Sequence, residues 1–158
     1  MSVIIRACKK EDIPAVLELI KELAAYERAE GEVEVTVDEM TEQGFGANKM
    51  FECIVAEANH NIIGIALSYY KYSTWKGKCL FLEDIIVTES YRQQGIGAML
   101  FKKVIARAKE LKVRRLEWQV LEWNEPAINF YKKHKALFDS EWINCKFTDK
   151  ELTAHNFD

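Results

Sequence analysis

The stretch LEDIIVTESYRQQGIGAML, residues 82–100, decides the fold: β-branched strand residues run into a polar loop, a pair of glycines and an apolar helix start. Such a junction gathers backbone N–H groups without intrahelical partners at one helix N-terminus, where the macrodipole also favours negative charge. A phosphate or pyrophosphate is expected to sit there without a dedicated lysine.

Upstream of this junction, FECIVAE (51–57), NIIGIALSYYKY (61–72) and KCLFLEDIIVTE (78–89) are rich in β-branched and aromatic residues and predict three consecutive antiparallel strands. A tight turn at 59–61 joins the first two. Earlier still, residues 3–8 predict a strand. Ile13, Val16, Leu17, Ile20, Leu23 and Ala24 recur at helical spacing within a helix over 11–28, with Pro14 in its first turn. Thr36 with Glu39 forms a capping box for a second helix, which Gly44 and Gly46 are expected to end.

Downstream, Ile96, Leu100, Val104, Ala108 and Leu111 mark a helix stripe, and RRLEWQVLEW (114–123) returns to strand character. Asn124 is placed to cap a fourth helix with Glu125 and Pro126 in its first turn. Strands near 136–139 and 142–148 are expected to close the sheet. The order β-α-α-β-β-β-α-β-α-β-β predicts an α/β fold with a mixed, mostly antiparallel sheet flanked by helices. With 158 residues, 49% apolar and 30% charged, one domain over 1–158 is expected.

A formal charge of −3 gives no basic field for nucleic acid, and no apolar run approaches the roughly 20 residues of a membrane span. The start, MSVIIRACKKED, has too short an apolar stretch for a signal peptide. Cys8, Cys53, Cys79 and Cys145 show no CxxC spacing, and His60, His134 and His155 fit no ligand pattern. No metal site is expected; free thiols in the cytoplasm are. Charge is segregated along the chain. Residues 22–42 hold eight acidic side chains against Arg28 alone, and 101–115 hold seven basic ones against Glu110. Two readings fit that asymmetry: two solvated helix faces, or a molecule that draws a cation to one segment and an anion to the other.

Spelling separates the phosphate loops. A Walker loop requires GKS or GKT after its second glycine, but Gly97 is followed by Ala98, Met99 and Leu100. A dinucleotide fingerprint requires Gly or Ala at position 100 and a βαβ opening, and both are missing. What remains is Arg92-Gln-Gln-Gly95-Ile-Gly97, which fits the R/Q-x-x-G-x-G/A loop that wraps the pyrophosphate of coenzyme A.

With WNEPAINFY (123–131) one strand further on, the sequence resembles the GNAT superfamily of acetyl-CoA-dependent N-acetyltransferases over nearly its whole length. Within it, the chain looks most like the spermidine/spermine acetyltransferases and their thialysine relatives. The shared stretches are LIKELAAYE (19–27), YSTWKG (72–77), LEDIIV (82–87), YRQQGIG (91–97) and EWNEPAINFY (122–131).

Acetyl transfer needs a neutral amine, and an alkylamine of pKa about 10.4 costs roughly 4–5 kcal/mol to deprotonate at pH 7. Glu83, near the end of the central strand, is the candidate base, and the resemblance points to the same residue; strict alternation sends Asp84 to the opposite face. The resemblance assigns the general acid to Tyr131, a phenol able to protonate the departing thiolate. It also assigns backbone contacts with the cofactor to Ile85, Ile86 and Val87. Arg92 and the loop Gln93, Gln94, Gly95, Ile96, Gly97 and Ala98 carry over as cofactor-binding, with Asn124 and Glu125 beside the pantetheine arm.

For the amine, the resemblance implies Tyr26, Glu27, Glu83, Glu117, Trp118 and Gln119. It further implies a homodimer with a small-molecule amine as substrate, while charge and hydropathy leave neither nucleic acid nor membrane as an expected partner. A non-catalytic acyl-CoA-binding module and a protein or peptide N-acetyltransferase are the alternatives. Two departures stand out. Ser73-Thr74-Trp75 replaces the Asp-Pro-Trp of the polyamine enzymes, removing one acceptor-side anion. Lys135 replaces a helix-ending glycine, which costs on the order of 1 kcal/mol if that position is left-handed.

Overall fold

Five strands make one mixed sheet in the order β1 (Ile4–Ala7), β2 (Glu52–Ala58), β3 (Asn61–Ser73), β4 (Gly77–Val87) and β5 (Leu116–Glu117). The first three pairings are antiparallel and β4–β5 is parallel. This is a computed structural model and describes residues 2–156; Met1, Phe157 and Asp158, the ends of the expected domain, lie outside the described residues. The chain divides into two compact units. Residues 1–119 hold the sheet with helices α1 (Ile13–Tyr26), α2 (Val37–Phe45) and α3 (Ile96–Glu110); residues 120–158 hold α4 (Glu125–Lys133) and α5 (Asp149–Ala154). The α/β class and the mostly antiparallel sheet are as expected.

In the first unit, the apolar stripe of α1 packs Ile13, Val16 and Leu17 onto Val55, Ile65, Leu67 and Ile86. Helix α3 covers the opposite face. Its Leu100 approaches Gly64 so closely that a Cβ there would lie 3.2 Å from Leu100 Cδ1 and 2.9 Å from the Ile86 carbonyl oxygen. The β2–β3 turn has Asn59 and His60 at φ 49° and 64°, the positive angles that a tight hairpin turn demands. The capping box of α2 forms, the Thr36 side chain accepting from the Glu39 N–H and the Glu39 carboxylate from the Thr36 N–H. Gly46 alone ends α2, because Gly44 is buried inside the helix against the Phe51 ring.

In the second unit, the Asn124 side chain accepts from the Ala127 N–H at 3.4 Å and Pro126 occupies the first turn, so α4 starts where its caps predict. It ends in a left-handed Lys135 at φ 59°, with Ala136 N–H donating to the Tyr131 carbonyl and Lys135 N–H to that of Lys132. This pattern is the one glycine normally closes. Lys135→Gly is therefore expected to stabilise the fold by about 1 kcal/mol, read as a higher urea midpoint at unchanged slope.

The two closing strands expected at 136–139 and 142–148 do not form. Glu141 N–H turns back to the Asp139 carboxylate instead, and Leu137, Phe138, Trp142, Ile143 and Phe147 stand exposed in the single chain. Strand propensity is a preference for a pleated, half-buried surface, and without a ladder partner it creates no strand. Likewise, the strand expected over 114–123 is confined to Leu116–Glu117.

Candidate active site

An interruption in the β3–β4 ladder organises the site. Tyr69 faces Phe81, Ser68 faces Leu82 and Leu67 faces Asp84, leaving Glu83 as the extra residue of a β-bulge. Residues directly opposed across an antiparallel pair point to one face, and along a strand the faces alternate. Leu67 packs in the cluster beneath α1, so its partner Asp84 faces α1. Tyr69, two residues along β3, faces α1 with Phe81, and the Tyr69 hydroxyl meets the Glu83 carboxylate. The bulge thus turns Glu83 and Asp84 to the same side, where an unbroken strand separates them. Asp84 is not on the opposite face that alternation predicts.

The last turn of α1 supplies a third acid. Burial raises the Glu27 carboxyl above its ordinary range. Asp84 moves further: burial, then the charges of Glu83 and Glu27, push it up to about 6. Burial and the Glu83 charge also raise the Tyr69 phenol. Asp84 and Glu27 are partly buried and Glu83 is exposed beside them, and an ammonium group arriving there would relieve the repulsion that Asp84 feels from the other two.

The other acceptor residues named from the sequence are placed differently. Glu117 is held between two cations, Lys71 Nζ at 3.4 Å from one oxygen and Arg115 Nε at 3.2 Å from the other. Its charge is already balanced. Trp118 packs edge-on against Phe101 at 5.3 Å, and Gln119 is exposed at the end of the first unit. The Tyr26 ring lies under the Arg92 guanidinium, 5.2 Å from its centroid.

Arg92 is a brace. Its Nε donates to the Val87 carbonyl at 2.9 Å and an Nη to Glu22 at 3.1 Å. Glu22 also accepts from the Thr88 hydroxyl at 2.7 Å and the Glu89 N–H at 2.9 Å, tying α1 to the end of β4. The loop beyond is left-handed at Gln93 (φ 61°) and at Gly95 (φ 79°), the N-cap of α3. The helical ladder starts at Met99 N–H to the Gly95 carbonyl, so the N–H groups of Ile96, Gly97 and Ala98 find no partner within the helix. Gln93, Gln94 and Gly95 are exposed while Ile96 is buried and anchors the turn. Because β5 pairs with β4 only at Leu80 and Phe81, the β4 edge from Leu82 to Val87, including Ile85 and Ile86, runs beyond its neighbour.

In the second unit, Tyr131 is buried on α4, 5.4 Å from the Phe130 ring, and Asn124 and Glu125 form the start of that helix. Among the described residues no group of three His, Cys, Asp or Glu suited to a metal is found, and no helix is long and apolar enough to cross a membrane. Sequence reasoning missed Asp84, Glu22 and Tyr69. The adjacent acids Glu83-Asp84 were the available signal, but only the bulge gives them a shared face.

The signature of the acetyltransferase (GNAT) family matches residues 14–135. The chain is 38% identical over 153 residues to a thialysine N-epsilon-acetyltransferase of Bos taurus, covering 90% of each. It is 37% identical over 158 residues to the spermidine/spermine N(1)-acetyltransferase-like protein 1 of Homo sapiens, covering 94% of this chain and 23% of that protein. In fold it is similar to an integron cassette protein from the mobile metagenome of V. cholerae, with a TM-score of 0.78 at 23% identity, over 97% of this chain and 96% of that one.

Proposed function

Because the chain belongs to the GNAT acetyltransferase family and is an N-acetyltransferase, we propose that it transfers acetyl from acetyl-CoA to a primary amine of a small diamine, polyamine or lysine-like amino acid, directly in a ternary complex. The observation that carries this reading is the bulge that brings Asp84 to the α1 face beside Glu83, where the charges of Glu83 and Glu27 act on it, an acidic surface suited to a compact cation.

The chain's residues fit coenzyme A. The left-handed Gly95 opens the first-turn N–H groups of α3 toward an anion, and a Cβ on Gly97 would meet nothing nearer than Val87 Cγ2 at 3.9 Å. That accords with a motif accepting either Gly or Ala at this position. Gln93, Gln94, Gly95, Ile96, Gly97 and Ala98 would hold the pyrophosphate, and the β4 edge at Ile85, Ile86 and Val87 would take the pantetheine amides as an added strand. Asn124 and Glu125 would flank the pantetheine arm, a role resting on the match of WNEPAINFY. Arg92 serves by fixing the loop. Exposed Lys102 and Lys103 continue the basic face of α3. Bound there, the cofactor supplies an activated acetyl thioester.

Glu83 takes the proton from the attacking amine, directly or through water, while Glu27 and Asp84 hold the cationic remainder of the acceptor. Tyr131 protonates the leaving thiolate, a role resting on the match of WNEPAINFY. Tyr26, Trp118 and Gln119 are assigned to the acceptor on the strength of the sequence match, Trp118 from the α3 side where it packs on Phe101, with Glu117 contributing less because Lys71 and Arg115 already neutralise it. At the β3–β4 turn, Ser73 Oγ accepts from the N–H groups of Trp75 and Lys76, so this stretch supplies a turn and no anion. A short diamine or an amino acid with a distal amine therefore fits better than a long polycation.

We infer a homodimer as well, on the resemblance to the diamine and thialysine acetyltransferases; the exposed apolar side chains between Leu137 and Phe147 accord with it. A cytoplasmic location accords with the four free thiols.

Thiol release measured over spermidine, putrescine, lysine, thialysine and a lysine peptide tests the function. Putrescine, lysine or thialysine is expected to exceed the peptide in kcat/KM by roughly tenfold or more, since a desolvated charge pair is worth at least that much. Coenzyme A binding with no thiol release for any amine would make the chain a binding module. A preference for the peptide would make it a protein acetyltransferase.

A further inference from the structure

We propose that Cys8 and Cys53 form a modification site, a cross-strand dithiol that a small-molecule disulfide such as oxidised glutathione converts to an intramolecular disulfide. The inference rests on the β1–β2 edge of the sheet and is independent of the acetyl-transfer reading. Ala7 pairs with Ile54, and the Cys8 N–H donates to the Cys53 carbonyl at 2.9 Å, carrying the ladder one residue past β1. Directly opposed, hydrogen-bonded residues of antiparallel strands have Cα atoms about 5.5 Å apart, within the roughly 4.4–6.8 Å that a disulfide spans. They also share a face: both side chains pack against the cluster beneath α1, near enough that each thiol shifts the other, while the Cys8 thiol donates to the Lys9 carbonyl at 3.3 Å and the Cys53 thiol to the Ile54 carbonyl at 3.7 Å.

The two thiols are not equivalent. The contact with Cys53, aided by the Arg6 charge, lowers the Cys8 thiol against burial and the opposing charges of Asp12 and Glu11. The same contact raises Cys53, together with burial and the charges of Asp12 and Asp84. Cys8 is half-buried, while Cys79 is fully buried with its thiol donating to the Gly77 carbonyl. Cys8 is accordingly the attacking group.

Its thiolate attacks one sulfur of oxidised glutathione; the S–S bond breaks and one glutathione leaves as thiolate, taking up a proton. Cys53, having lost its proton, then attacks the Cys8 sulfur and expels the second glutathione. Two protein thiols are oxidised, and one glutathione disulfide is reduced to two thiols. The bond closes a loop over residues 8–53, which carries α1 and α2.

The test incubates the full chain with glutathione buffers of increasing oxidised fraction, traps free thiols by alkylation and maps peptides by mass spectrometry. Expected is a linked peptide pair containing Cys8 and Cys53, reversed by dithiothreitol, with a melting temperature higher by roughly 5–10 °C. Cys53→Ser is expected to stop at a glutathione adduct on Cys8. Cys8→Ser is expected to acquire an adduct on Cys53 more slowly by roughly tenfold or more. Either variant melting near the reduced wild type shows that it is folded. An adduct on wild-type Cys8 that never resolves, or modification confined to Cys145, would overturn the proposal.

Discussion

Glu83→Gln and Tyr131→Phe are each expected to lower turnover by roughly tenfold or more while coenzyme A binding, followed by calorimetry, stays within about twofold. They should separate by pH. The task assigned to Glu83 is to remove a proton whose loss at pH 7 costs roughly 4–5 kcal/mol, and this cost falls as pH approaches the pKa of the amine. The Glu83→Gln rate should therefore recover as pH is raised toward 10. The Tyr131→Phe rate should not, because protonating a leaving thiolate becomes harder in alkali. Full activity in both variants at pH 7 would remove the mechanism, and recovery of both at high pH would remove the role of Tyr131.

The second large effect is on stability. Asp84 has its carboxyl raised from 3.8 to about 6, so the folded chain holds this proton more tightly than the unfolded chain. Stability is then lost as pH rises between those values, and the whole cost is present above pH 6. Asp84→Asn removes it, so the variant is expected to be more stable by about 2–3 kcal/mol at pH 8. Near pH 3, below both values, the carboxyl is mostly protonated in the folded and unfolded wild type and the advantage should nearly vanish. Urea unfolding of both proteins at these two pH values reads the difference, and an equal gain at each would mean that ionisation is not its cause. The same substitution should raise KM for the amine by roughly fivefold. In the wild type, KM should climb as pH falls through about 6, because Asp84 then gives up its charge. A stabilising change that weakens binding is the usual signature of a site holding like charges together.

What could be read from the letters was what is decided locally. The Thr36–Glu39 box, the Asn124 cap with Pro126, the 59–61 turn and the left-handed Lys135 each depend on a few consecutive residues, and each is found. The apolar periodicity of α1 and α3 and the three central strands were legible for a related reason, since each segment's pattern matches one secondary-structure period. Properties belonging to two segments at once were not legible. The bulge at Glu83 exists only in the pairing of β3 with β4, so alternation within 82–87 placed Asp84 wrongly. The absent strands between 136 and 148 needed a ladder partner that no property of those residues specifies. The Lys71–Glu117 ion pair and the brace from Arg92 to Glu22 join residues 46 and 70 positions apart. They change what a correctly noticed residue is available to do.

The early end of β5 has a consequence for how such a chain diversifies. On the proposed reading, a ligand laid along the rim from Leu82 to Val87 would be gripped by main-chain amides, which every amino acid carries, so exchange among strand-forming residues there would leave the grip intact. The amine would instead be recognised by individual carboxylates, each of which a single substitution can erase. Donor use would then be buffered against mutational drift while acceptor choice is free to wander, so that one scaffold could change what it modifies without changing what it consumes.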